Sequence, residues 1–280
     1  MNMQPPATSP FLSFVHIEKA GGITLHNLWH KCFPGYLSPH PHPRFGWHLT
    51  ARDLQRLQRW TPYRIQGIGG HRISANQGYE QVLRRPVFYL TFVRDPLKRY
   101  FSHINWQVAM MQMDWTMETF TADPEKDNYQ AYRIAGDRYD WEKARHILSE
   151  RFHFVGLLER FDESLLLLRQ RMGLPELDIR YERSNVTKEE NVAFRYEDQP
   201  ASMQQLIRRR NEVDLRIYDY VREELFPRYI REYPGDLQRD LAMFRAQNEG
   251  YRFPRWSWVK RKATNVWLGR VVQPLIARNP

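Results

Sequence analysis

Residues 87–93 (VFYLTFV) are all apolar, aromatic or β-branched, without the polar alternation of a half-exposed strand. Such a run is a strand buried on both faces, the situation of a central strand in a parallel sheet covered by helices. Pro96 follows at the first turn of a predicted helix running to about residue 110, where its missing N–H costs nothing. The same strand-then-helix order recurs. Phe11, Phe14, Val15 and Ile17 suit a short buried strand, after which Ile23, Leu25, Leu28 and Trp29 recur at helical spacing. Residues 64–74 (RIQGIGGHRIS) predict a short strand ending in a glycine turn that displays His71, and 152–159 (FHFVGLLE) predict another buried strand. Thr50 and Asp53 form a capping-box pattern ahead of LQRLQRW. A later helix has Asp162 as its expected cap, Gly173 as its stop and Pro175 beyond. Residues 200–225 predict one long helix with Leu206, Val213, Ile217, Val221 and Leu225 on one face, whereas 111–140 show no clean period. Strands alternating with helices predict an α/β fold with a mainly parallel sheet. Ligands of such sheets sit at the carboxyl ends of strands, where Lys19, His71 and Arg94 fall.

Two of those strand ends suit anions. Gly21 and Gly22 permit a tight turn into a helix N-terminus, whose free N–H groups and positive dipole join the charge of Lys19. An ordinary strand-to-helix turn with a solvated lysine has the same pattern. Arg94 ends the central strand and Ser102 follows about two helical turns later. The arginine can grip a phosphate through two hydrogen bonds, the serine adds a hydroxyl, and Asp95 either orients the arginine or caps the helix. Two such strand ends in one sheet suggest a ligand with two separate anionic groups. The usual kinase phosphate loop is absent, because the lysine precedes the glycines. His40, His42 and His48 lie in a proline-rich loop without a cysteine or nearby carboxylate, so metal binding is the minor reading there.

The chain of 280 residues carries 42 Lys and Arg against 32 Asp and Glu, a formal charge of +10, which favours polyanions or anionic small molecules. Cys32 is its sole cysteine, so no internal disulfide forms, as suits a reducing compartment. Residues 1–10 lack the basic and apolar regions of a secretory signal, and no run approaches the length of a membrane span. The expected location is cytoplasmic. After Glu249 no acid occurs, while Arg252, Arg255, Lys260, Arg261, Lys262, Arg270 and Arg278 accumulate among Trp256, Trp258 and Trp267. This segment suits an interfacial helix on anionic membrane, a wall for an acidic saccharide, or a basic helix packed on the domain.

HIEKAGG (16–22) followed by RDPLKRYFS (94–102) resembles the two cofactor signatures of sulfotransferases that use 3′-phosphoadenosine 5′-phosphosulfate (PAPS). Their order and spacing are most similar to the glycan branch, notably the heparan sulfate 6-O- and 2-O-sulfotransferases. The resemblance implies a 5′-phosphosulfate loop at Lys19, Ala20, Gly21, Gly22, Ile23 and Thr24, and a 3′-phosphate site at Arg94 and Ser102. GGHRIS (69–74) matches the segment that carries a catalytic histidine, so His71 inherits that role. DNYQAYRIAG (127–136), FVGLLERFDESLLLL (154–168) and RSNVTKEE (183–190) have counterparts in the same order, extending the resemblance over about residues 11–230. It implies that Asn185 and Thr187 close over the cofactor. Asn128, Gln130 and Arg133 either touch the acceptor or make structural polar contacts. Glu18, Ala20 and Ile23 depart from the family pattern: a carboxylate beside the anion loop is unhelpful unless it points away, and two hydroxyls are missing.

The expectation is therefore a P-loop NTPase-like three-layer α/β domain over 11–232, with a central mainly parallel sheet flanked by helices. Residues 233–280 form a basic, Trp-rich helical extension. The implied activity is metal-independent, in-line transfer of a sulfuryl group from PAPS to an acceptor hydroxyl of a carbohydrate or glycoconjugate, with no nucleic acid partner. Lys19 stabilises the leaving phosphate and His71 serves as the general base. The alternatives are a nucleotide-dependent kinase with an atypical phosphate loop and a non-catalytic polyanion- or glycan-binding protein.

Overall fold

The computed structural model describes residues 10–39, 48–182, 192–272 and 274. Five strands form the expected central sheet: β1 (Phe11–Val15), β2 (Tyr36–Leu37), β3 (Gly67–Gly70), β4 (Val87–Val93) and β5 (Phe154–Leu157). Their order is β2-β3-β1-β4-β5, and every pairing is parallel. All seven residues of β4 are buried. Its two hydroxyls are satisfied: Thr91 Oγ1 donates to the carbonyl of Val15 at 2.8 Å and the Tyr89 hydroxyl to Glu80 Oε2 at 2.8 Å. Burying a Leu or Phe side chain contributes about 1.5–3 kcal/mol, so Leu90 and Phe92 at the sheet's centre tolerate a charge least.

The register brings the functional strand ends level. Val15 of β1 pairs with Gly70 of β3 on one side and Thr91 of β4 on the other. From β1 the chain leaves through α1 (Gly22–Cys32) toward β2, and from β4 it leaves through α4 (Pro96–Met111) toward β5 at the opposite edge. Connections that depart in opposite directions leave a crevice between the carboxyl ends of β1 and β4.

Between these elements, α2 (Ala51–Trp60) has the expected capping box, with Thr50 Oγ1 accepting from Asp53 N at 3.1 Å and Asp53 Oδ2 accepting from Thr50 N at 3.0 Å. The short α3 (Tyr79–Leu83) leads into β4. The aperiodic stretch after α4 holds α5 (Met117–Ala122) and α6 (Tyr129–Ala135), followed by α7 (Trp141–Glu150). Helix α8 (Phe161–Arg171) starts two residues earlier than expected, after the N-cap Arg160. Asp162 is thus not a cap; its carboxylate receives the Tyr181 hydroxyl at 2.7 Å and Arg245 Nε at 3.2 Å. Gly173 does end this helix, at φ 64°.

The long helix expected at 200–225 is two helices, α9 (Ala201–Arg210) and α10 (Glu212–Tyr220), running on through a π-helical turn into α11 (Phe226–Arg231). The break is at Asn211, a buried residue whose Nδ2 donates back to Ile207 O at 2.9 Å. It changes the buried frame, so Ile207 rather than Leu206 is in the core. Helix α12 (Leu237–Asn248) lies on α8, with Leu237, Leu241 and Phe244 in the main core, and α13 (Arg255–Trp267) lies on α1.

Candidate active site

The loop from β1 to α1 turns on two residues in the left-handed region, Lys19 at φ 68° and Gly21 at φ 82°. For a lysine this conformation costs about 1–2 kcal/mol, and here it accompanies a turn closed by Ala20 N donating to Ile17 O at 3.3 Å. Gly22 opens α1 against the ring of His16. A Cβ at that position would lie 1.8 Å from His16 Nε2, so only glycine permits the approach. No side chain caps α1 and its first turn contains no acid. The positive end of the helix thus faces the crevice without an intrahelical partner for its first N–H groups. Ile23 is 38% exposed, whereas Ala20 and Thr24 are buried.

Arg94 is fixed through its backbone and its side chain. Gln130 Oε1 accepts from Arg94 N at 3.0 Å, and Gln130 Nε2 donates to Arg94 O at 2.9 Å. The guanidinium donates from Nη1 to the carbonyl of Lys19 at 3.1 Å, tying the end of β4 to the glycine loop. Lys19 Nζ lies 5.3 Å from the centre of the Trp106 ring. Burial and the charge of Arg94 lower its pKa from 10.5 to about 8. Asp95 takes the capping role, its Oδ1 accepting from Lys98 N at 2.8 Å. Ser102 is half-buried on α4, with Trp106 one turn further on. That i, i+4 spacing is the signal by which Trp106 was discoverable.

His71 stands one residue beyond β3, and the Val15–Gly70 pairing sets it beside His16. Their rings stack with centres 4.2 Å apart. Nδ1 of His71 lies 2.8 Å from Glu18 Oε1. Arg133 backs this pair, with Nε 3.8 Å from Glu18 Oε2 and Nη2 donating to the carbonyls of His71 and His16. Burial alone would raise the pKa of Glu18, but the hydrogen bond and charge of His71 and then Arg133 hold it far below the carboxylate range. The carboxylate that looked misplaced in the anion loop is turned toward the histidine.

A buried set of rings supports His71 from behind. His16 Nδ1 and His26 Nε2 are 3.2 Å apart, and the Tyr36 hydroxyl is 2.9 Å from His26 Nδ1. Burial first, then neighbouring histidines, push His16 and His26 well below the usual imidazole value, so both stay neutral. Nothing in the motif spacing marked His16; its role follows from its place at the end of β1, against Gly22 on one side and His71 on the other.

Asn128, Gln130 and Arg133 are at most 2% exposed. Asn128 Oδ1 accepts from Val213 N at 2.9 Å and Asp214 N at 3.2 Å, while the Asp214 carboxylate accepts from Gln130 N at 2.9 Å and Ala131 N at 2.8 Å. Helices α6 and α10 therefore cap each other. Gln130 and Arg133 hold the segments that carry Arg94, Glu18 and His71, and Asn128 holds the start of α10. Asn185 and Thr187, like His40 and His42, lie outside the described residues.

No protein-family model matches the chain. Over 205 residues it is 27% identical to mouse galactosylceramide sulfotransferase, an alignment covering 62% of this chain and 47% of that protein. The similarity is to sulfotransferases. The chain spans about half the length of this curated relative. A solved sulfotransferase from Alicyclobacillus acidocaldarius superposes with a TM-score of 0.41 and 13% identity, covering 74% of this chain and 96% of that one.

Proposed function

We propose that the protein transfers a sulfuryl group from PAPS to a hydroxyl of a carbohydrate or glycoconjugate. One observation carries this reading. The Glu18–His71 pair and the Lys19–Arg94 pair occupy adjoining strand ends, so a base and an anion cradle face one crevice. The cradle suits a phosphosulfate: two cations converge on it and α1 is uncapped by any side chain. The similarity to a galactosylceramide sulfotransferase supports a sugar-bearing acceptor.

PAPS supplies the sulfuryl group and a phosphate leaving group on which charge grows as the sulfur–oxygen bond breaks. Lys19 and the amides of Gly21, Gly22 and Thr24 are placed to offset that charge. Arg94 and Ser102 bind the 3′-phosphate, the arginine through its fork of donors. Ala20 and Ile23 complete the loop through their backbone. Glu18 accepts Nδ1–H of His71, which leaves Nε2 to take the proton of the attacking hydroxyl. Gln130 and Arg133 are positioning residues.

Calorimetric titration with 3′,5′-adenosine bisphosphate tests this without knowledge of the acceptor, with ADP in the presence and absence of magnesium as the comparison. Selective, magnesium-independent binding that is lost in Arg94→Ala is expected. A preference for ADP with magnesium would make the protein a kinase. Binding of neither, with polyanion affinity that falls steeply with salt, would make it a non-catalytic polyanion binder.

A further inference from the structure

Helix α13 carries apolar side chains on two faces: Trp267 packs on the core with Leu268 and Val272 of the following π-helical turn, while a second apolar set stays outside. Ser257 is buried, Lys260 and Arg261 are half-buried, and Arg261 donates to Asn27 Oδ1 on α1. The same two cations lower the pKa of His30 after burial has done so, which places their charge against α1. The outward face is apolar: Trp258 is 55% exposed, Val259 56%, Val266 46% and Val271, in the π-helical turn that follows, 45%. Lys262 and Arg270 are exposed among them, with Lys262 Nζ 5.2 Å from the centre of the Trp258 ring. Amphipathic helices of globular domains bury their apolar stripe. This one buries one apolar set and leaves a second, Trp258, Val259, Val266 and Val271, in solvent.

We propose that this face docks on the surface of an anionic lipid bilayer, with the tryptophan and valine side chains at the acyl boundary and the cations at headgroup level. Charge complementarity selects this occupant. From residue 250 to 280 the chain has seven Lys and Arg and no Asp or Glu. An acidic saccharide would engage the cations and leave the valines wet, and an uncharged protein groove would cover the valines and leave the cations unmatched. An anionic bilayer engages both at one depth, and long basic side chains extend from an apolar stem to a charged surface. No helix among the described residues is long and apolar enough to cross a membrane, so the contact is peripheral. Because α13 lies on α1, whose first turn opens the anion cradle, docking would set the crevice at a fixed orientation to the lipid surface. This inference stands independently of sulfuryl transfer.

The test is co-sedimentation of the full chain with phosphatidylcholine vesicles containing about a third phosphatidylserine, against vesicles of phosphatidylcholine alone. Binding to the anionic vesicles only is expected, with tryptophan emission shifted to shorter wavelength and affinity falling as salt rises. Val266→Asp and Lys262→Glu should each lower the partition coefficient roughly tenfold or more. Both positions are exposed, and unchanged thermal unfolding confirms that the variants are folded. Equal binding to both vesicle types, or to neither, would overturn the proposal. So would concentration-dependent dimerisation abolished by Val266→Asp, or heparin binding lost in Lys262→Glu while vesicle binding persists.

Discussion

Nδ1 of His71 and Oε1 of Glu18 are 2.8 Å apart although the residues arrive from different strands, one after β3 and the other after β1. In the proposed mechanism the contact orients the imidazole for proton transfer through Nε2. Glu18→Gln is expected to lower kcat of sulfuryl transfer about tenfold to a hundredfold while leaving bisphosphate affinity within about twofold, since the orienting partner lies outside the anion cradle. His71→Ala removes the proposed base and should cost about a hundredfold or more in kcat, again with affinity retained. Near-normal turnover of His71→Ala would reject the base assignment.

Lys19 links pH to both binding and stability. Its pKa near 8 means that the cradle loses a charge as pH rises through 8, so the affinity for the bisphosphate should be level below that pH and fall above it. Lys19→Met should abolish that dependence together with most of the affinity. The folded value lies below the ordinary 10.5, so the unfolded chain binds this proton more tightly. The charged lysine therefore destabilises the fold below pH 8, and the penalty fades between pH 8 and the unfolded value. Lys19→Met should accordingly raise Tm at pH 7, by about 2 °C or more. A lower Tm would show that Lys19 is not a strained, functionally retained group.

Gly22→Ala tests the close approach of His16. The added methyl would meet Nε2 at 1.8 Å, so His16 must move, and His71 is stacked on it. Thermal unfolding should show a loss of about 1–3 kcal/mol. The double variant Gly22→Ala with His16→Ala should recover part of that loss, because the obstructing ring is gone. Additive losses would place the strain elsewhere in the loop.

Asn128 separates a structural role from an acceptor role. Removing its Oδ1 leaves the first N–H groups of α10 unpaired, and Asn128→Ala should lower stability by about 1–2 kcal/mol. The KM for the acceptor should stay unchanged in the folded variant. A raised KM with unchanged Tm would return Asn128 to the acceptor site.

Much of the scaffold was written locally. The continuous run 87–93 became β4 with the bounds expected, and Thr50 with Asp53 formed the capping box that starts α2. Both depend on period and on contacts within one turn, which neighbouring residues alone specify. The helix expected over 200–225 failed for the opposite reason. Its apolar period continues, but Asn211 interrupts it so that α10 can be capped by Asn128, more than 80 residues away in sequence.

The site divides along the same line. Sequence by itself determined the candidates Lys19, His71 and Arg94, because strand ends, glycines and residue chemistry are local properties and parallel sheets place ligands at carboxyl ends. Only the tertiary structure decided what each one touches. The β1–β3 register set Glu18 against His71 and turned an apparently misplaced carboxylate into its partner. The β1–β4 register brought Arg94 to the carbonyl of Lys19 and, with burial, lowered the lysine's pKa. Burial also withdrew Asn128, Gln130 and Arg133 into the framework. Pairing register and burial are properties of the assembled sheet, set by residues distant in the chain, and no single stretch of sequence carries them.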